Sequence, residues 1–187
     1  MSEPDAKTGR SPPFPGRARN RGFSREKARQ ILRQHKINSV PTDLKIIFER
    51  LGLEFVELDD PNESDGAVLE MEGGLRVAML NRAKPFVRAR FTLAHELGHI
   101  FLNHDKREFY DPEVAREWGE DAPENAKPAK EREADAFASE LLIPMEQLKK
   151  YQGELKDLDK LAGIFQVSKP AMSIAVANFF SDSKTLR

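Results

Sequence analysis

The residues with the clearest chemical potential are His95, Glu96 and His99, in the run His95-Glu96-Leu97-Gly98-His99. On a helix, side chains four positions apart stand one above the other, so His95 and His99 can turn two imidazole nitrogens toward a single metal ion. Glu96 is rotated by roughly 100° from His95. It can reach a water activated at the metal without binding the metal, which is the position of a general base in metal-assisted hydrolysis. A buried helix that holds two histidines and a glutamate in one turn has otherwise no economical way to satisfy them.

A catalytic zinc takes three protein ligands and leaves one position open. His104 and Asp105 are nearest in sequence, but on a continuous helix they lie roughly 140° and 120° from His99, on opposite sides, and neither faces the metal unless the helix breaks. The run Lys130-Glu131-Arg132-Glu133-Ala134-Asp135-Ala136-Phe137-Ala138 offers better candidates. Ala134, Ala138, Leu141 and Leu142 define its inward face, Glu131 lies within roughly 60° of the centre of that face, and Glu133 points about 100° away. Glu131 is the geometric choice for the third ligand, and Glu133, read as solvated, is the alternative. Asp135, one turn beyond Glu131, can accept the second ring N–H of a ligating histidine. The oxyanion of the transition state needs a donor besides the metal; Tyr110, His104 and Tyr151 are the candidates, and the sequence does not choose among them.

These residues must be positioned by surrounding elements. Pro85 suits the first turn of a helix reaching about His104, whose many apolar positions require cover on most sides. Gly98, unfavourable by about 1 kcal/mol in a helix interior, points to close approach of another element. Ser24 is expected to cap a helix over Arg25–His35, and a second helix spans Thr42–Leu51. Leu53–Leu58 alternates as a strand, and Gly66–Met71 with Leu75–Leu80 reads as a hairpin through Gly73-Gly74. Together these predict a small antiparallel three-stranded sheet, with Leu75–Leu80 as an edge able to hold an extended peptide by strand addition. Residues 105–130 read as a long polar loop, followed by helices over Ala129–Ile143, Leu158–Phe165 and Pro170–Phe180.

Composition narrows the class further. The 187 residues carry 30 basic and 31 acidic side chains, a net charge of -1, so no global field marks a nucleic-acid or membrane binder. The absence of cysteine excludes disulfides, thiolate metal sites and a cysteine nucleophile. No apolar run is long enough for a membrane span and the start Met1-Ser2-Glu3-Pro4-Asp5 has no leader character, which predicts a cytoplasmic protein. The expected organisation is a disordered basic tail over 1–22, a core over 23–148, a C-terminal helical portion over 149–181 and a short tail over 182–187. The sequence sets no oligomeric state.

The run Arg90-Phe91-Thr92-Leu93-Ala94-His95-Glu96-Leu97-Gly98-His99-Ile100-Phe101-Leu102, followed by Glu131-x-x-Ala134-Asp135-x-Phe137-Ala138-x-x-Leu141-Leu142-x-Pro144, resembles the ImmA/IrrE family of bacterial metallopeptidases. The resemblance implies an α+β, zincin-like fold with the sheet packed on the central His-Glu-x-x-His helix. It also implies one Zn2+ per chain, Mn2+ not being excluded, held by His95, His99 and a glutamate of the later helix, with Glu96 as base. It further implies a protein substrate, a helix-turn-helix repressor, whose cleavage switches on stress-response or mobile-element genes. Two other readings compete. Leu161–Met172 has the look of a helix-turn-helix entry, but the helix that follows lacks arginine and offers only Lys169, Ser173 and Asn178 to bases, which disfavours DNA binding. The other is a zinc-bound sensor with no proteolytic role.

Overall fold

The computed structural model describes residues 21–70, 74–104 and 128–185. The expected N-terminal tail, apart from Arg21 and Gly22, and all of the 105–130 loop but its last three residues lie outside the described residues.

The chain opens with α1 (Arg21–Gln34), which begins before Ser24 instead of being capped by it. Ala28, Ile31 and Leu32, at one-turn spacing, are its buried face. Asp43 caps α2 (Leu44–Arg50), its carboxylate accepting from the Ile46 N–H at 3.2 Å. Phe48 of α2 is fully buried and stacks on Phe55 of β1 (Glu54–Leu58) with ring centroids 5.9 Å apart.

The sheet differs from the expected antiparallel arrangement. Its order is β1-β3-β2, with β2 (Gly66–Glu70) antiparallel to β3 (Arg76–Asn81) and β1 parallel to β3. The hairpin is as predicted, but it folds over so that its second strand enters the middle of the sheet. Leu75–Leu80 is therefore not an edge; β1 and β2 are. Buried Asn81 ends β3 and holds the loop between β1 and β2, its side-chain amide donating to the carbonyls of Asp60 at 2.6 Å and Ser64 at 3.0 Å.

Helix α3 (Phe86–Phe101) lies across the sheet, with Ala89, Leu93, Ala94 and Leu97 fully buried. Helix α4 (Ala129–Leu142) is packed between α3 and α1 and is consequently buried on more than one stripe. On the α1 side, Arg29 holds the Glu140 carboxylate with both of its oxygens engaged, at 2.9 and 3.1 Å. A short helix, α5 (Met145–Leu148), and a 3-10 turn lead to α6 (Leu158–Phe165), capped by Asp157, and α7 (Lys169–Thr185). Leu161, Phe165, Met172, Val176 and Phe179 of this pair are buried in the common core, whereas Phe180 is about half exposed. The described architecture is α+β. No helix among the described residues is long and apolar enough to cross a membrane.

Candidate metal centre

The site is built where α3 crosses α4. At the crossing, a Cβ added to Gly98 would meet Ala134 Cα at 3.0 Å and Ala134 O at 3.1 Å, so any side chain here would press on the backbone of α4, which would have to give by a few tenths of an ångström. The close contact brings one turn of each helix together: His95 and His99 from α3, Glu131 and Asp135 from α4.

His95, His99 and Glu131 each turn a ligand atom toward a common point, all within 4.8 Å of one another. His95 Nε2 and His99 Nε2 are 2.8 Å apart, His95 Nε2 and Glu131 Oε2 3.1 Å, and His99 Nε2 and Glu131 Oε1 3.5 Å. Tetrahedral coordination with bonds of about 2.0–2.1 Å separates its donors by about 3.3–3.4 Å, close to these spacings. Two imidazole nitrogens and a carboxylate converging in this way are an oxygen and nitrogen donor set suited to a divalent metal such as zinc. The side chain of Glu96, next to His95 on α3, is half-buried and makes no hydrogen bond or ion pair among the described residues.

Behind His95, Asp135 Oδ1 lies 2.9 Å from Nδ1. The ring is thus bracketed by two carboxylates. Burial, the largest single influence, works against its charge, but the hydrogen bonds to Asp135 and Glu131 and their negative charge outweigh it and push His95 up to about 9. Burial likewise opposes ionisation of Glu131, and the contacts with His95 and His99 overcome this to hold the carboxyl well below the usual range. Without a metal, a proton on His95 supplies the positive charge that the carboxylates require.

Helix α3 stops three residues before the expected end. Leu102 is its C-cap, Asn103 adopts the left-handed conformation (φ 52°), the Asn103 N–H donates to Ile100 O at 3.2 Å and the His104 N–H donates to His99 O at 3.0 Å. This is a Schellman closure with asparagine in the position usually held by glycine. It swings His104 back toward the helix, so that His104 Nδ1 lies 2.9 Å from His99 Nδ1 and His104 Nε2 lies 3.2 Å from Glu133 Oε2. The side chains of His104 and Glu133 are 4% and 7% exposed, which corrects the expectation that Glu133 is solvated. Because α4 is enclosed by both α1 and α3, the flank that carries Glu133 is also interior. Burial, the dominant influence on His104, depresses its pKa and favours the neutral ring.

The structure therefore brings together His95, His99, Glu131 and Asp135, with Glu96 adjacent. Glu133 belongs to His104 and not to the three-donor group. His104 does not serve as an oxyanion donor, since both of its ring nitrogens are engaged. Tyr151 sets its ring edge-on to Phe165 at 5.5 Å, in the C-terminal helical layer, with no hydrogen bond to the histidines. Tyr110 lies outside the described residues. The pairing of His104 with Glu133 escaped sequence reasoning; Asn103, a residue that tolerates the left-handed region, was the signal that could have revealed it.

A helix-borne histidine pair joined by a carboxylate from a second helix, on an α+β scaffold, is the arrangement of a metallohydrolase. The IrrE N-terminal-like domain (Peptidase_M78) matches residues 48–176, more than two thirds of the chain, and the chain belongs to this metallopeptidase family. No curated protein matches it. Among solved structures, a Mycobacterium tuberculosis transcriptional regulator shares the fold with a TM-score of 0.54 at 16% identity, over 81% of this chain and 45% of that one. This chain thus spans less than half the length of that protein.

Proposed function

We propose that this chain is a zinc-dependent endopeptidase of zincin-like fold, in which His95, His99 and Glu131 hold the metal and Glu96 is the general base. The observation that carries the reading is the convergence of three donor atoms within 4.8 Å beside a carboxylate that is not engaged elsewhere among the described residues. When bound, the metal would supply Lewis acidity that polarises the scissile carbonyl and lowers the pKa of water. Glu96 takes the proton of the attacking water and returns it to the leaving amine. Asp135 orients the His95 ring by accepting its Nδ1–H. The outer edge of β2, which pairs with no other strand among the described residues and belongs to a strand packed on α3, is suited to aligning an extended substrate strand.

The substrate of this reading is a protein, a helix-turn-helix repressor encoded in the same genome, and its cleavage would relieve repression. Family membership supports a peptide substrate, and the repressor is the narrower part of the proposal. DNA binding by α6 and α7 is not favoured: Met172, Val176 and Phe179 are buried, and Lys169, one of three residues available to bases, is paired with Asp159 at 2.7 Å. Incubation of zinc-loaded protein with candidate repressors tests the reading. Discrete fragments with wild type and none with Glu96→Gln are expected; equal fragmentation by both would remove Glu96 from the mechanism, and no cleavage of any candidate by a zinc-loaded protein would favour the sensor.

A further inference from the structure

The contacts that back the two histidines differ. His95 meets a carboxylate directly, whereas His99 meets another imidazole, and that imidazole meets a carboxylate. The arrangement His99 Nδ1···His104 Nδ1···(ring)···Nε2···Glu133 Oε2, at 2.9 and 3.2 Å, is buried at its far end, where His104 and Glu133 are each more than nine-tenths covered.

The protons in this chain can be placed by elimination. If His99 Nε2 presents a lone pair to the three-donor group, the single ring proton of His99 is on Nδ1. That proton faces His104 Nδ1 at 2.9 Å, which must then offer a lone pair, so the single proton of His104 is on Nε2. There it faces the Glu133 carboxylate, an acceptor only. Each donor has one acceptor, and no other assignment of neutral rings satisfies both contacts.

We infer that His104 and Glu133 are positioning residues that form a buried imidazole–carboxylate relay, fixing the tautomer and ring orientation of His99 so that Nε2 is available to the metal. The relay rests on the reading of His95, His99 and Glu131 as ligands and extends it. It accounts for three features at once: the early stop of α3 at Leu102, the left-handed Asn103 that returns His104 to the helix, and the burial of Glu133. Both ligating histidines are then backed by a carboxylate of α4, Asp135 for one and Glu133 for the other, the second through an interposed ring. His104 and Glu133 touch neither substrate nor metal; they act through His99.

The test uses zinc-loaded full-length protein, with zinc affinity measured by competition with a chromogenic chelator and histidine tautomers read from long-range proton–nitrogen correlation spectra of isotope-labelled protein. In wild type, His99 is expected as the Nδ1–H tautomer and His104 as the Nε2–H tautomer, with the His99 proton protected from solvent exchange. His104→Phe keeps the ring volume and removes the acceptor; zinc should bind about 10- to 100-fold more weakly. His104→Asn keeps an acceptor near the Nδ1 position and should recover most of that loss, and Glu133→Gln, which keeps an acceptor for the Nε2–H, should cost less than His104→Phe. A role confined to filling space gives the opposite order, with Phe tolerated and Asn harmful, and would overturn the relay. Spectra of the wild type decide the matter even if a variant does not fold: a zinc-loaded protein in which the His104 proton is on Nδ1 contradicts the relay alone. Wild type that takes up no zinc removes the metal reading, and the relay with it.

Discussion

Gly98 and Ala134 are in backbone contact at the crossing of the two site-bearing helices, so closely that a Cβ on the glycine would lie 3.0 Å from the Ala134 Cα. The obstacle is backbone and not a flexible side chain, so it yields only if α4 moves. Gly98→Ala should therefore destabilise the fold by about 1–3 kcal/mol in spite of its better helix propensity, and should displace Glu131 and Asp135 from the histidines. Chemical denaturation and zinc content measured on the same preparation check this; a stabilised protein with full zinc would contradict it.

Asp135 is expected to act through His95. With Oδ1 2.9 Å from the ring Nδ1, it fixes the face that His95 presents. Asp135→Ala should weaken zinc binding about 10- to 100-fold while the fold survives. Chelator competition and far-ultraviolet circular dichroism separate the two effects.

The pH dependence follows from the bracketed His95. Burial opposes its charge, but Asp135 and Glu131 prevail and raise the ring from 6.5 to about 9 in the metal-free protein. A pKa raised on folding contributes stability that is fully present below the unfolded value and lost as pH climbs through the folded one. Unfolding midpoints of chelator-treated protein should therefore fall between about pH 6.5 and 9. Zinc requires the neutral ring, so its apparent affinity should rise over the same interval, by up to about tenfold per pH unit for the one proton released. Stability of the metal-free protein that rises across this interval would contradict the bracketing of His95 by the two carboxylates.

Glu140 is 4% exposed and is held by the Arg29 guanidinium and the Met145 N–H. Arg29→Ala leaves that carboxylate without its cation, and a loss of about 2–3 kcal/mol is expected in denaturant titrations at neutral pH.

Much of the site was legible because helical periodicity is local. His95 and His99 share a face by spacing alone, and the inward alanines of α4 were enough to prefer Glu131 over Glu133 as the member of the group. The sheet order was not legible. Alternating apolar residues mark Leu53–Leu58 and Leu75–Leu80 as strands, but whether they run parallel depends on how the hairpin folds over β1, a non-local choice. The surroundings of Glu133 were hidden for a related reason: a single inward stripe is a poor description of a helix covered from both sides, and nothing in residues 129–142 announces that α1 lies behind them. The turn of His104 back to His99 depends on one left-handed residue, Asn103, whose conformation the sequence permits without requiring.

The most direct measurement is the zinc content of purified wild type beside His99→Ala, Glu131→Ala and Glu133→Gln. One zinc per wild-type chain is expected, lost with His99→Ala and Glu131→Ala and retained by Glu133→Gln, whose side chain is placed against His104. Wild type without metal, or a Glu131→Ala protein with full zinc, would contradict the assignment of the centre.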